Sequence, residues 1–259
     1  MGSNQPAKTI LITNDDGIHA EGLWAMYRRL SDEHSVAVVA PDRERSAIGH
    51  AITLHDPIRV TRMTINGGYS GFAVNGTPAD CVKLGILELL EQRPDMVISG
   101  INPSPNVGVN LNYSGTVAAA KEAALFGIPA IAVSTASPNG ADYGDAAGFV
   151  TDLARIVLRN GLPGGTFLNV NLPAGPVRLS AGVRISKQDN SVYADYFEKR
   201  LDPRNRIYYW QGSETAHAGD PDDVDGAALR RNYITITPVK CDMTDHDFLA
   251  EIEKWDIDR

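Results

Sequence analysis

The residues with the clearest chemical potential come early in the chain. Asn14, Asp15, Asp16 and Gly17 follow directly on the apolar run Ile10-Leu11-Ile12. Such a run reads as a buried strand of a parallel sheet. The polar residues then sit just past its carboxyl end, where open α/β sheets bind ligands. Two adjacent carboxylates repel each other, and burying them unpaired is costly. A hard cation that seeks oxygen, such as Mg²⁺ or Mn²⁺, relieves both problems. The same residues also fit a plain turn in which one Asp caps the next helix. The stretch by itself leaves both readings open.

Two more loops are expected at the same sheet edge. Asp42 to His50 is polar and offers Ser46, and Ser99 to Gly108 offers Asn102 and Asn106. Two carboxylates, a hydroxyl and an amide carbonyl make an oxygen shell with positions left for water and substrate. Taken singly, Ser46 reads as a turn residue and Asn102 as a loop asparagine bonded to backbone. Tyr113-Ser114-Gly115-Thr116-Val117 then opens a helix. Ser114 can cap it, and Gly115 has no Cβ to keep an anion from the first free N–H groups. An ordinary capped helix has the same pattern. A metal site and an anion site at one edge suggest a phosphate ester held between them. His19, His50 and His55 lack the spacing of zinc ligands. There is no P-loop, no dinucleotide fingerprint and no nucleophile elbow. That argues against a P-loop triphosphatase, a Rossmann dehydrogenase and a serine hydrolase.

The elements that must position these residues alternate in type. Strands are expected at 10–12, 35–40, 95–99, 130–134 and 166–171. Helices are expected at 21–30, with Leu23, Met26, Tyr27 and Leu30 on one face, and at 79–92, 115–126 and 146–159. Residues 51–76 alternate loosely around the Asn66-Gly67-Gly68 turn and read as an antiparallel excursion. This is a doubly wound, mostly parallel, Rossmann-like α/β sheet. Beyond about residue 175 the rhythm breaks. Val183 to Ser186, Ser191 to Phe197 and Arg206 to Gly212 read as antiparallel strands, followed by an acidic turn at Gly219 to Asp223. A strand is expected at 233–238 and an amphipathic helix at 245–255. The organisation expected is a loose tail over 1–8, a core over 9–180 and an antiparallel C-terminal extension over 181–259.

The chain has 259 residues, 43% of them hydrophobic, and a formal charge of −8. The length suits one large α/β domain. The acidity argues against a binder of nucleic-acid duplex or of membrane, both of which favour a basic face. A small anionic substrate stays open, because a metal and helix N-termini supply local positive potential. Two cysteines, Cys81 and Cys241, far apart, suggest a reducing compartment. No apolar segment reaches the length of a membrane span, and the start lacks a signal-peptide core. A cytoplasmic protein is expected.

Read together in order, the motifs resemble a known family. They are Ile12-Thr13-Asn14-Asp15-Asp16-Gly17, Ala40-Pro41-Asp42-Arg43 followed by Ser46, and Asn75-Gly76-Thr77-Pro78-Ala79-Asp80. Ser99-Gly100-Ile101-Asn102, Asn106-x-Gly108, Tyr113 to Val117 and Gly127-x-Pro129-Ala130-Ile131-Ala132 complete the set. Over nearly the whole chain this is similar to SurE, the stationary-phase survival proteins, metal-dependent phosphatases of nucleoside monophosphates. The resemblance implies that Asp15, Asp16, Ser46 and Asn102 ligate one divalent cation, Mg²⁺ or Mn²⁺. It implies that Asn106 and Ser114 to Thr116 lie around the phosphate, and Asn14 is counted with them. It also implies a C-terminal arm exchanged between subunits, giving a homodimer or homotetramer. Three departures stand out. The family usually has glycine where this chain has Ser104, often acidic residues where it has Val109 and Asn110, and frequently glycine where it has Ala47.

The function expected is hydrolysis of nucleoside 5′- and 3′-monophosphates by metal-activated water, with Asp15 or Asp16 accepting the proton. Two alternatives remain. One is a phosphatase of the haloacid dehalogenase type with an Asp nucleophile, against which the direct Asp15-Asp16 adjacency speaks. The other is a non-catalytic module that binds a nucleotide or anion.

Overall fold

In the computed structural model, strand β1 (Thr9–Thr13) lies inside the main sheet, and its side chains alternate between two cores. Ile10 and Ile12 enter one, and Leu11 enters the other. A strand buried on both faces has no polar alternation, which is why this segment is apolar throughout its middle. The structure describes residues 7–65, 68–137, 143–190, 194–214 and 221–257. Most of the expected tail, the Asn66-Gly67 pair, the start of the strand expected at Ser191 and the Gly219-Asp220 pair lie outside the described residues.

The strands that follow are β2 (Ser35–Pro41), β3 (Val60–Ile65), β4 (Tyr69–Val74), β5 (Met96–Asn102), β6 (Ala130–Thr135) and β7 (Thr166–Leu172). Later come β8 (Val183–Ile185), β9 (Ala194–Leu201), β10 (Ile207–Glu214) and β11 (Ile234–Lys240). Nine of them form one sheet in the order β3-β4-β2-β1-β5-β6-β7-β11-β8, and β9 pairs with β10 in a separate hairpin. From β4 to β7 every neighbour is parallel. Within this sheet only β3 on β4 and β11 on β7 are antiparallel.

Helices cover both faces. α1 (Glu21–Leu30) and α4 (Tyr143–Asn160) pack on one, through Leu23, Met26, Val150 and Val157. α2 (Pro78–Leu84) and α3 (Gly115–Leu125) pack on the other, through Cys81, Val82, Val117 and Ala120. In α3 a run of small residues lets the helix lie close to the sheet, and Ala118, Ala119, Ala120, Ala123 and Ala124 are all buried. Two short helices follow, α5 (Asp225–Arg230) and α6 (His246–Ile252). Among the described residues no helix is long and apolar enough to cross a membrane.

Four local expectations change. Val183–Ile185 does not pair antiparallel. It lies parallel to β11, because Ile234, Thr235 and Ile236 present a free sheet edge to it. The regular part of α2 ends at Leu84 and continues as a wider turn over Gly85–Leu89. α5 was not expected. Finally, β5 runs three residues beyond Ser99, to Asn102, after an irregularity in its pairing with β6. Gly100 makes this possible. Its φ is +133°, and a Cβ there would stand 2.3 Å from the Val133 carbonyl oxygen.

The chain leaves β1 toward β2 on one side and returns through β5 on the other. The sheet therefore switches direction between β1 and β5. A crevice opens at such a point, outside the carboxyl ends of the strands. Asp15 and Asp16 follow β1, and Asn102 ends β5.

Candidate active site

The turn after β1 is held by Asn14. Its side chain is fully buried, its Nδ2 donates to Gly17 O at 3.0 Å, and its Oδ1 accepts from Gly17 N–H at 3.2 Å. Both ends of the amide are thus committed to the turn. Asn14 was expected among the substrate-binding groups. Its amide shapes the loop, and Asn14 is not among the residues that line the cleft.

Asp15 is 4% exposed. Its Oδ1 accepts from the Thr116 hydroxyl at 2.5 Å, at the start of α3. Its carbonyl accepts from Arg45 N–H at 2.7 Å, which ties the first loop to the one carrying Ser46. Gly115 explains the close fit, since a Cβ there would stand 2.8 Å from Asp15 Cβ. Gly115 and Thr116 were expected at the phosphate. The structure sets them against Asp15, and neither lines the cleft. The helix start, with its partial positive charge, thus faces a carboxylate of the chain itself.

The cleft has a volume of about 350 Å³ and brings together Asp15, Asp16, Ser46, Asn102, Asn106 and Ser114. Ser114 caps α3, its Oγ accepting from Val117 N–H, so its hydroxyl hydrogen is left to donate. Ser46 is exposed at the rim and donates to Glu44 Oε1 at 2.7 Å. Asn102 donates through Nδ2 to Ser104 O at 2.5 Å, which leaves Oδ1 as the end a cation can use. Ala47, beside Ser46, is held at φ 55°, the left-handed region that favours glycine.

Several residues that hold the site were not singled out in the sequence. Asn106 is gripped from below. Its N–H donates to Asn171 Oδ1 at 2.7 Å, and its carbonyl accepts from Asn169 and Asn171. Its Nδ2 donates to Ser134 Oγ at 2.8 Å. The signal was available: two amides, Asn169 and Asn171, stand two apart in an apolar buried strand, and buried amides need partners. Glu44 adds a third carboxylate to the cleft.

Asp225 is fully buried at the start of α5. It accepts from the N–H groups of Gly108 (3.0 Å), Asp189 (3.1 Å) and Gly226 (2.8 Å). Gln188 adds a bond from Nε2 to Gly108 O at 2.9 Å. The loop carrying Asn102 and Asn106 is thus fastened to segments on either side of the β9–β10 hairpin. Asp225→Ala leaves these N–H groups buried without an acceptor. It is expected to destabilise the protein by about 2–4 kcal/mol, to be read from a denaturant melt beside wild type.

The electrostatics of the pair are unfavourable as it stands. Burial above all raises Asp15 from its ordinary value, while the Thr116 hydroxyl and nearby backbone N–H groups act the other way. Asp16 is pushed up to about 7 by burial, then by the charge of Asp15, then by Glu44. Asp16 Oδ2 is buried and makes no hydrogen bond. An orphaned acceptor and crowded carboxylates are what a bound cation would relieve. The donors at hand are all oxygens, which suits a hard cation. Among the described residues no three His, Cys, Asp or Glu side chains group as a metal cluster, so such a site draws on neutral oxygens as well.

Fold and cleft together define an α/β protein with an acidic, oxygen-lined site at the switch point of a parallel sheet. A sequence model of the family described as survival protein SurE matches residues 10–195. A protein of Desulfatibacillum aliphaticivorans named 5′-nucleotidase SurE is 59% identical over 250 residues, covering 96% of this chain and 99% of that protein. One of Geotalea uraniireducens with the same name is 49% identical over 249 residues, covering 96% and 99%. The crystal structure of the SurE protein from Aquifex aeolicus matches with a TM-score of 0.82 at 34% identity, over 95% of this chain and 98% of that one. The chain belongs to the SurE family.

Proposed function

We propose that this protein is a metal-dependent phosphomonoesterase that hydrolyses nucleoside 5′- and 3′-monophosphates to nucleoside and phosphate. The observation that carries the reading is the Asp15–Asp16 pair. Both carboxyls are raised, and one oxygen lacks a partner, in a cleft that also holds Ser114 and Asn106. The nucleotidase names of the relatives support the substrate class.

Asp15, Asp16, Ser46 and Asn102 would hold one divalent cation per subunit, Mg²⁺ or Mn²⁺. When bound, it supplies a Lewis acid for a phosphoryl oxygen and lowers the pKa of water. The residues of the chain do the rest. Thr116 and the α3 start fix Asp15 in one orientation. Asp15 or Asp16 takes the proton of the attacking water. The Ser114 hydroxyl and the second hydrogen of Asn106 Nδ2 donate to phosphoryl oxygens, where charge builds in the transition state.

The arm over 181–259 is the proposed contact between copies, in a homodimer or homotetramer. The β9–β10 hairpin supports this, with Phe197, Leu201, Tyr209 and Trp210 exposed, since a two-stranded hairpin alone is marginal in water. The free thiols of Cys81 and Cys241 support a reducing, cytoplasmic setting.

The test is phosphate release from a panel of nucleoside 5′- and 3′-monophosphates by metal-stripped protein, with and without Mn²⁺ or Mg²⁺. Release that requires the metal is expected. Silence across the panel with either metal, from protein shown to be folded, would overturn the reading in favour of a binding module.

A further inference from the structure

A phosphate ester brings a leaving group as well as a phosphate, and the two need different surroundings. The walls of the acidic cleft carry Asp15, Asp16 and Glu44. These suit a cation and the phosphate it would neutralise, whereas the faces of a nucleobase gain by leaving water, and in the cleft Tyr113 is the one aromatic ring among the described lining residues.

A second pocket of about 470 Å³ adjoins the cleft. Pro105 and Asn110 line both, so the two spaces share a wall. The second differs in chemistry. Val107, Pro173, Ala174 and Leu229 give it apolar sides, and no carboxylate lines it among the described residues. Its volume lies in the range of about 300–1,000 Å³ usual for small-molecule sites.

Its walls come from three parts of the chain: the residues just after β6 and β7, with Ala136, Pro173 and Ala174, the loop of Asn106, and α5 with the residues after it. The last two are distant in sequence. Asp225 holds them together by accepting from Gly108 N–H, and Gln188 adds a bond to the Gly108 carbonyl. Asn171 fixes the loop from the sheet side. The pocket is therefore shaped before any ligand arrives, which lowers the entropy cost of binding.

We propose that this pocket receives the nucleoside half of the substrate. The proposal rests on the nucleotidase reading above. No aromatic ring lines the pocket among the described residues, and Asn110, Arg230 and Asn232 stand among its apolar walls, so the base is held by apolar contact and by these polar side chains and not by stacking on an aromatic ring.

The test uses Ala174, which is exposed and so accepts a larger side chain without disturbing the core. Ala174→Phe and, as a milder step, Ala174→Leu would fill the pocket. kcat/KM is measured with saturating Mn²⁺ for adenosine 5′-monophosphate and for glycerol 2-phosphate, an ester with no base. The expected result is a fall of about tenfold or more in the ratio of the two for Ala174→Phe, with a smaller fall for Ala174→Leu. The change should enter through KM, as loss of ground-state binding does. An unchanged ratio in both variants, with melting curves that show them folded, would overturn the pocket assignment and leave the nucleotidase reading standing. Wild-type protein that releases phosphate from neither ester would overturn the nucleotidase reading itself, and the pocket assignment with it.

Discussion

Asp15→Asn is expected to lower turnover on the order of a thousandfold, about 4 kcal/mol of transition-state stabilisation, while the protein stays folded. The geometry explains why the fold survives the change. The asparagine oxygen can still accept from the Thr116 hydroxyl, which now bonds Asp15 Oδ1 at 2.5 Å. What disappears is the negative charge and the second acceptor, on the side where Gly115 leaves room for Oδ2. An amide nitrogen there meets the start of α3 with the wrong polarity. Phosphate release and a thermal melt, run side by side, check the prediction. Near-normal turnover from folded Asp15→Asn would remove Asp15 from the machinery.

Asp16→Asn is expected to act in opposite directions on activity and stability. Activity falls steeply, because the free carboxylate oxygen of the cleft is gone. Metal-free protein, however, becomes more stable by about 1–3 kcal/mol near neutral pH, a figure already reduced for solvent screening. The cause is the cost of the native charge. The Asp16 carboxyl is raised from 3.8 to about 7 in the fold by burial, by Asp15 and by Glu44. A carboxyl raised in this way binds its proton more tightly in the folded state than in the unfolded one. Its contribution to stability is full below about pH 4 and is lost as the pH rises through about 7. Melts of metal-free wild type and Asp16→Asn from pH 4 to 8 should therefore diverge with rising pH, with the variant ahead at the upper end. Parallel curves would show that the charge carries no such strain. The pattern is that of a site whose electrostatics are suited to a ligand at the expense of the empty fold.

Much of this was legible in the sequence, for identifiable reasons. Ile10-Leu11-Ile12 announces a strand buried on both faces because such a strand has no solvent side to mark with polar residues. Thr77-Pro78-x-Asp80 announces the start of α2 because the cap needs an oxygen at the first position and tolerates proline at the next. The structure shows that capping box in full, with the Asp80 carboxylate also accepting from Thr53. Other features left weaker marks. The extension of β5 to Asn102 depends on a single glycine that lets the strand continue past an irregularity. The parallel pairing of β8 depends on which sheet edge is still free when the chain arrives.

The sequence by itself determined the alternation of elements and the identity of the polar residues that gather at one sheet edge. Those follow from local patterns of apolar and polar residues, which periodicity records. Only the tertiary structure decided what each polar residue does once gathered. It turned Asn14 inward to the turn and set Gly115 and Thr116 against Asp15. It left Asp16 Oδ2 without a partner and fastened the Asn106 loop with Asp225 from the far end of the chain. Hydrogen bonds between residues more than a hundred positions apart, such as Asp15 with Thr116 and Gly108 with Asp225, leave no period in a sequence. They exist only after the sheet has closed and burial has forced each polar group to find its partner.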